Sequence, residues 1–263
     1  MSKPEPLYDA LIAQIFRNHH QPDSTAFEFD RAEIESVAAE LNVRLPKNLG
    51  DLIYSFRYRK DLPPEIIATE PENRQWIIQP AGRAKYRFEL AKLTLIVPRV
   101  ELIATKIPDA TPQIIAAYAL NDEQALLAKV RYNRLIDVFL GIVAYSLQNH
   151  LRTTVKTMGQ IEIDELYVGI NMNGQQFVIP VQAKSGSDRL TVVQTSQDLA
   201  YCAQKFPTLK ARAISAQFMA DDVIALFELT LENGEIKVVK EGHYRLVPAN
   251  SITPGDLKTY AER

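Results

Sequence analysis

The sequence predicts a mixed α/β protein in two parts, and three observations predict it. The first third reads as short amphipathic helices followed by a β-hairpin. The second half reads as helix, hairpin, helix and further strands. Between them Ile107-Pro108-Asp109-Ala110-Thr111-Pro112 is rich in chain breakers and reads as a boundary loop. The expected division is therefore 1–105 and 106–263. A chain of 263 residues suffices for two modest domains.

The helices come first. Leu7, Leu11, Ile12, Ile15 and Phe16 recur at helical spacing and predict a helix over 7–18. Asp30 is placed to cap a second helix, with Glu33 at the capping-box position and Ile34, Val37, Ala38 and Leu41 as its apolar stripe. Asn42 to Pro46 breaks that helix. A third starts at Lys47-Asn48 and runs through Leu52, Ile53 and Phe56. Trp76 to Gln79 and Lys85 to Leu90 alternate as two strands around Pro80-Ala81-Gly82. Two helices joined by a tight turn and followed by a hairpin make a winged-helix pattern. Its third helix is the natural element to enter a DNA groove. Lys47, Asn48, Arg57, Arg59 and Lys60 on that helix, with Arg83 and Lys85 on the hairpin, are the expected DNA contacts.

In the second part, 122–150 is expected to be helical, as one helix or two with a break. Strands are expected at 160–170, 175–184, 210–219, 222–231 and 235–247, with one helix at about 191–205. The informative segment is the first hairpin. Gln160, Glu162 and Asp164 fall on one face of its first strand, and Ile161 and Ile163 on the other. Asn171-Met172-Asn173-Gly174 is a turn sequence whose Asn-Gly favours positive φ. On the return strand Gln182 and Lys184 share one face, while Phe177, Ile179, Val181 and Ala183 take the other. Two acids thus meet an amide and an ammonium.

Phosphodiester hydrolysis can use such a set. A hard divalent cation takes oxygen ligands, typically one or two carboxylates plus water and phosphate. Asp164 offers the central carboxylate, with the Gln182 side-chain oxygen, the Ala183 carbonyl and Glu162 as further ligands. Lys184 would stand beside water and phosphate. The alternative is a solvated hairpin of charged residues. A lysine ending so apolar a strand weighs against it. So does the polar loop Ser185 to Arg189, which suits a substrate edge.

An Asp, a turn, then a strand ending in acid-x-Lys resembles the signature of the PD-(D/E)xK, or restriction-endonuclease-like, nucleases. Here Asp164 stands with Gln182-Ala183-Lys184, so Gln replaces the usual acid. That form resembles the Mrr-like branch, which also tends to carry an N-terminal winged helix. Gln197-Asp198-Leu199-Ala200-Tyr201 is similar to a Gln-x-x-x-Tyr motif found on the next helix in some of these nucleases; Gln194 is an alternative on the same helix. The resemblance implies a restriction-endonuclease-like core and a type II or Mrr-like endonuclease. Mg²⁺ is its expected cofactor, with Mn²⁺ able to substitute. Double-stranded DNA is the expected substrate. A homodimer is expected too, since a double-strand cut needs two sites. Arg152, Arg189, Gln197 and Tyr201 are its expected DNA contacts beside the site. A DNA-binding regulator or repair factor on a degenerate nuclease fold, and a junction resolvase or repair nuclease, are the other readings.

Composition narrows the field. The net charge is -2, so any nucleic-acid binding must come from a local basic patch. A single cysteine excludes a disulfide framework and a cysteine-ligated zinc site. No signal-peptide core and no membrane-length apolar run is present, so a cytoplasmic protein is expected. No phosphate loop or serine elbow appears. The literal Pro108-Asp109 lacks a following acid-x-Lys strand, and Glu123 to Lys129 lies on a helix; neither is taken as the site. Asp221-Asp222 reads as a turn and His19-His20 as a helix end.

Overall fold

The computed structural model describes residues 6–92, 95–118, 122–156, 158–184 and 189–262. The chain divides into two units. One comprises Met1–Leu95 with Thr153–Ile161 and Thr191–Val193; the other comprises Ile96–Arg152, Glu162–Leu190 and Gln194–Arg263.

The first unit runs α1 (Pro6–His19), β1 (Ala26–Asp30), α2 (Arg31–Glu40), α3 (Leu49–Tyr58), α4 (Pro64–Ile67), β2 (Gln75–Pro80) and β3 (Lys85–Ala91). The α2 start has the expected cap: the Glu33 carboxylate accepts the Asp30 N–H at 2.9 Å. Asn48 caps α3 by accepting the Gly50 N–H at 3.1 Å. The strands form an antiparallel sheet in the order β1-β3-β2. Phe16 meets Trp76 and Phe88 edge-on at 5.3 and 5.2 Å in the core. The sequence pattern does not predict β1 or α4. β1 is only five residues long, with one of them buried, too little for its period of two to stand out.

The second unit contains the larger sheet. The remaining elements, which belong to it apart from residues 153–155, 159–161 and 192–193, are β4 (Thr105–Pro108), α5 (Gln113–Tyr118), α6 (Glu123–Tyr132), α7 (Leu135–Leu140), β5 (Val143–Val155), β6 (Gly159–Ile170), β7 (Gln176–Lys184), α8 (Val192–Lys205), β8 (Lys210–Ala211), β9 (Ala213–Phe218), β10 (Val223–Glu232), β11 (Glu235–Val247) and α9 (Pro254–Ala261). The sheet order is β4-β11-β10-β9-β7-β6-β5, with β8 also on β7. It is mixed: β7 lies antiparallel to β6 and parallel to β9, and β4 lies parallel to β11.

Three expectations are corrected. Residues 107–108 belong to strand β4 rather than to a loop; Pro108 sits at the strand's last position, where a missing N–H is tolerated. The 122–150 helix is two short helices that stop at Leu140. Arg134 at φ +49° breaks the first from the second, and Gly141 at φ +66° ends the second. The chain then enters strand β5, so Arg152 and His150 lie on a strand and not at a helix end. The expected strand 210–219 is split at Arg212. That break falls opposite Ile179 and Pro180, between the pairs Val178–Ala211 and Val181–Ile214. Proline has no N–H to give to the ladder there.

Leu126, Leu127 and Val130 of α6 and Leu135, Ile136 and Phe139 of α7 pack with Ile179, Val181 and Ala183 of β7 and with Ile214 and Leu226. This covers one face of the sheet. Glu165 is buried on that side, ion-paired with Arg131 and accepting the Tyr167 hydroxyl. Among the described residues no helix is long and apolar enough to cross a membrane.

Candidate active site

Strand alternation carries Glu162 and Asp164 on β6 to the end of β7, because the register sets Glu165 opposite Val181. The Ala183 N–H donates to Asp164 Oδ2 at 2.8 Å. The expected hairpin of Asp164 with Gln182-Ala183-Lys184 is therefore brought together. It is not an open polar face. Gln182 is 2 % exposed and Lys184 3 % exposed.

Gln182 is held on two sides. Its Nε2 donates to the Glu162 carbonyl at 3.0 Å and to Asp198 Oδ1 at 3.2 Å. A carbonyl can only accept, so this contact fixes which way the amide is turned. The Gln182 oxygen is left facing Gln194 Nε2, a long contact of 3.5 Å. Lys184 Nζ lies 3.3 Å from Glu123 Oε1 at the first residue of α6. Glu162 is turned toward β5, with Arg152 Nε at 3.2 Å and His150 Nδ1 at 3.7 Å.

The electrostatics are set by burial. Asp164 has a raised pKa: burial is the main cause, and Glu162 adds to it. The Ala183 N–H, Lys184 and His150 oppose it. Asp198 is pushed well above the usual carboxylate range by burial, with Asp164 adding to the effect and Gln182 and Lys184 working against it. An acid whose folded pKa is raised contributes stability that is full below its unfolded value, here near 3.8, and lost as pH rises through the folded value. Asn at 198 keeps an acceptor for Gln182 and cannot ionise. Asp198→Asn is thus expected to melt above the wild type at pH 7, with the gap closing as pH falls toward 3.8. Thermal melts across pH check this; a variant less stable than wild type at pH 7 contradicts it.

Glu123 and Asp198 are the members that sequence reasoning misses. Glu123 lies on a helix, 61 residues before Lys184, with nothing local to link the two. Asp198 stands four residues after Gln194, and that shared helix face is the available signal. Gln197 and Tyr201 are both buried in α8; Tyr201 packs edge-on with Phe206 at 6.1 Å. Arg189 is half-buried, and Ser185 to Asp188 lie outside the described residues.

The expected DNA contacts of the first unit divide into two groups. Lys47, Arg59, Arg83 and Lys85 are exposed. Asn48 is exposed too, but its side chain is engaged in capping α3. Arg57 donates to the Ile78 carbonyl at 2.7 Å and sits over the Tyr86 ring, and burial lowers its pKa. Lys60 pairs with Asp9 and lies 4.0 Å from the Phe56 ring centre.

A hard cation suits the oxygen donors of Asp164, Gln182 and Ala183. Among the described residues no three His, Cys, Asp or Glu side chains are gathered as a metal cluster. Mg²⁺ does not require that, since water and phosphate can fill most of its octahedron. Comparison of the chain with protein-family models, with curated proteins and with solved structures finds no match.

Proposed function

We propose that this chain is a metal-dependent DNA endonuclease of the restriction-endonuclease-like kind, working at Asp164, Gln182 and Lys184. The observation that carries this reading is Lys184, a lysine 3 % exposed at the end of a central strand, one strand away from the half-buried Asp164. A buried ammonium needs a compensating charge. Glu123 supplies one at 3.3 Å, and in this reading a scissile phosphate supplies another.

In this reading Asp164, the Gln182 oxygen and the Ala183 carbonyl would hold Mg²⁺ or Mn²⁺, with Glu162 as a further oxygen donor. The cation would polarise the phosphate and lower the pKa of a bound water. Lys184 neutralises the phosphate and orients the attacking water. Asp198 and Gln194 keep the Gln182 amide in place, and Glu123 holds Lys184. The element order of the first unit, helix, strand, three helices (the last a single turn) and a hairpin, fits a winged helix. Exposed Lys47, Arg59, Arg83 and Lys85 would track the DNA backbone. The active form is a homodimer. Cys202 is buried with its thiol pushed up to about 12, which suits an inert core thiol in a reducing, cytoplasmic setting.

A second reading has one observation in its favour. Gln182 replaces the usual acid, and among the described residues no three His, Cys, Asp or Glu side chains are gathered to hold a metal. That would suit a DNA-binding regulator on a degenerate nuclease fold. Incubating the purified chain with supercoiled plasmid separates the two. Nicked or linear products in Mg²⁺ or Mn²⁺, abolished by EDTA, support the nuclease. Intact plasmid that is nonetheless shifted on a gel supports the binder.

A further inference from the structure

β5 is the last strand of the eight-stranded sheet, at the end opposite β4. Natural edge strands are guarded by charges, prolines, bulges or shortness, because a bare edge pairs with other chains. β5 runs for 13 residues, and its first seven, residues 143–149, contain no charged residue and no proline. Tyr145 is 60 % and Leu147 51 % exposed there. The guards come later: His150 leaves the extended region at φ +48°, and exposed Arg152 stands two residues beyond it.

The edge also has a defined polarity. The Ala144 N–H donates to the Asp137 carboxylate at 3.0 Å, so it points away from β6. Alternation then turns the N–H and C=O of Ser146 and Gln148 to the same outer side.

We propose that residues 145–149 pair antiparallel with the same segment of a second copy of this chain, about a two-fold axis at Leu147. Ser146 then lies opposite the partner's Gln148, and Gln148 opposite the partner's Ser146. Each of these pairs exchanges two backbone hydrogen bonds. Leu147 meets its own counterpart on the axis, and Tyr145 meets the partner's Asn149. The paired segment carries no charge, so the symmetry forces no like charges together. Asp137 at one end and His150 at the other limit the pairing to these five residues. This names the surface of the homodimer proposed above. It is tested without DNA, so failed cleavage leaves it standing and a monomeric protein leaves the catalytic assignment standing.

Sedimentation equilibrium across the micromolar range tests it. The wild type is expected at twice 29.7 kDa. Leu147→Lys sets two ammonium groups on the axis and is expected to weaken association roughly a hundredfold or more. Ser146→Pro removes an outward N–H that β6 does not use and is expected to dissociate the dimer with an unchanged circular dichroism spectrum. Leu147→Lys and Leu147→Glu chains, each monomeric alone, are expected to associate when mixed. A wild type that stays monomeric, or a dimer that survives both substitutions, overturns the proposal.

Discussion

Asp164→Ala is expected to lower metal-dependent cleavage by roughly three orders of magnitude or more while duplex binding stays within about twofold. The expectation rests on position. Asp164 is the carboxylate bonded to the backbone at Ala183, and its charge is felt by Lys184 and Asp198. Asp164→Asn separates chemistry from folding, because an amide oxygen still accepts the Ala183 N–H. It should melt at or above the wild type at pH 7, since Asp164 too has a raised pKa, and cleave no better than the alanine variant. Metal binding needs the ionised acid, and burial raises the Asp164 pKa. The acid limb of the cleavage profile should therefore lie above the ordinary carboxylate range, with activity rising as pH rises through it. Single-turnover rates against pH, beside gel-shift titrations, check both points. Binding lost in parallel with cleavage would mean that Asp164 serves the fold.

The second large effect is on stability. Arg131→Ala is expected to cost about 3–5 kcal/mol. Glu165 is 1 % exposed and keeps only the Tyr167 hydroxyl once the guanidinium is gone. The cost is that of a buried, uncompensated carboxylate, not the worth of the pair itself. Glu165→Gln should cost less, because Arg131 is partly exposed and can return to water. Urea unfolding at neutral pH measures it as a lower midpoint with an unchanged slope. Equal losses from the two substitutions would contradict this account of where the energy lies.

The parts of the molecule set by local chemistry are legible in the sequence. Asp30 and Glu33 predict the cap of α2. The Asn-Gly predicts the turn between β6 and β7: Gly174 sits at φ +78°, and Asn171 Oδ1 accepts the Asn173 and Gln175 N–H groups at 3.0 Å each. Strand alternation predicts that Asp164 shares a face with Gln182 and Lys184; it does not predict the bond that Asp164 accepts from the Ala183 N–H. The features that escape the sequence are non-local. Val143 and Leu147, four residues apart, imitate a helical stripe, yet the left-handed turn at Gly141 redirects the chain into an edge strand. The burial of Gln182 and Lys184 depends on Asp198 and Glu123, which come from elements before and after the hairpin. No window of sequence around the hairpin contains both. Arg57 and Lys60 read as a basic surface, but Ile78 and Asp9 take them up. Nothing in the local run of charges indicates those partners.

Lys184 gives the most direct test of the central claim. Wild-type protein and Lys184→Ala, both shown to be folded, are incubated with plasmids from several methylation backgrounds in Mg²⁺, with EDTA controls. The account predicts metal-dependent products from the wild type that vanish in EDTA and in the variant. Cleavage that persists in Lys184→Ala would contradict the assigned site. Plasmid left intact by the wild type in every background would contradict the nuclease reading itself.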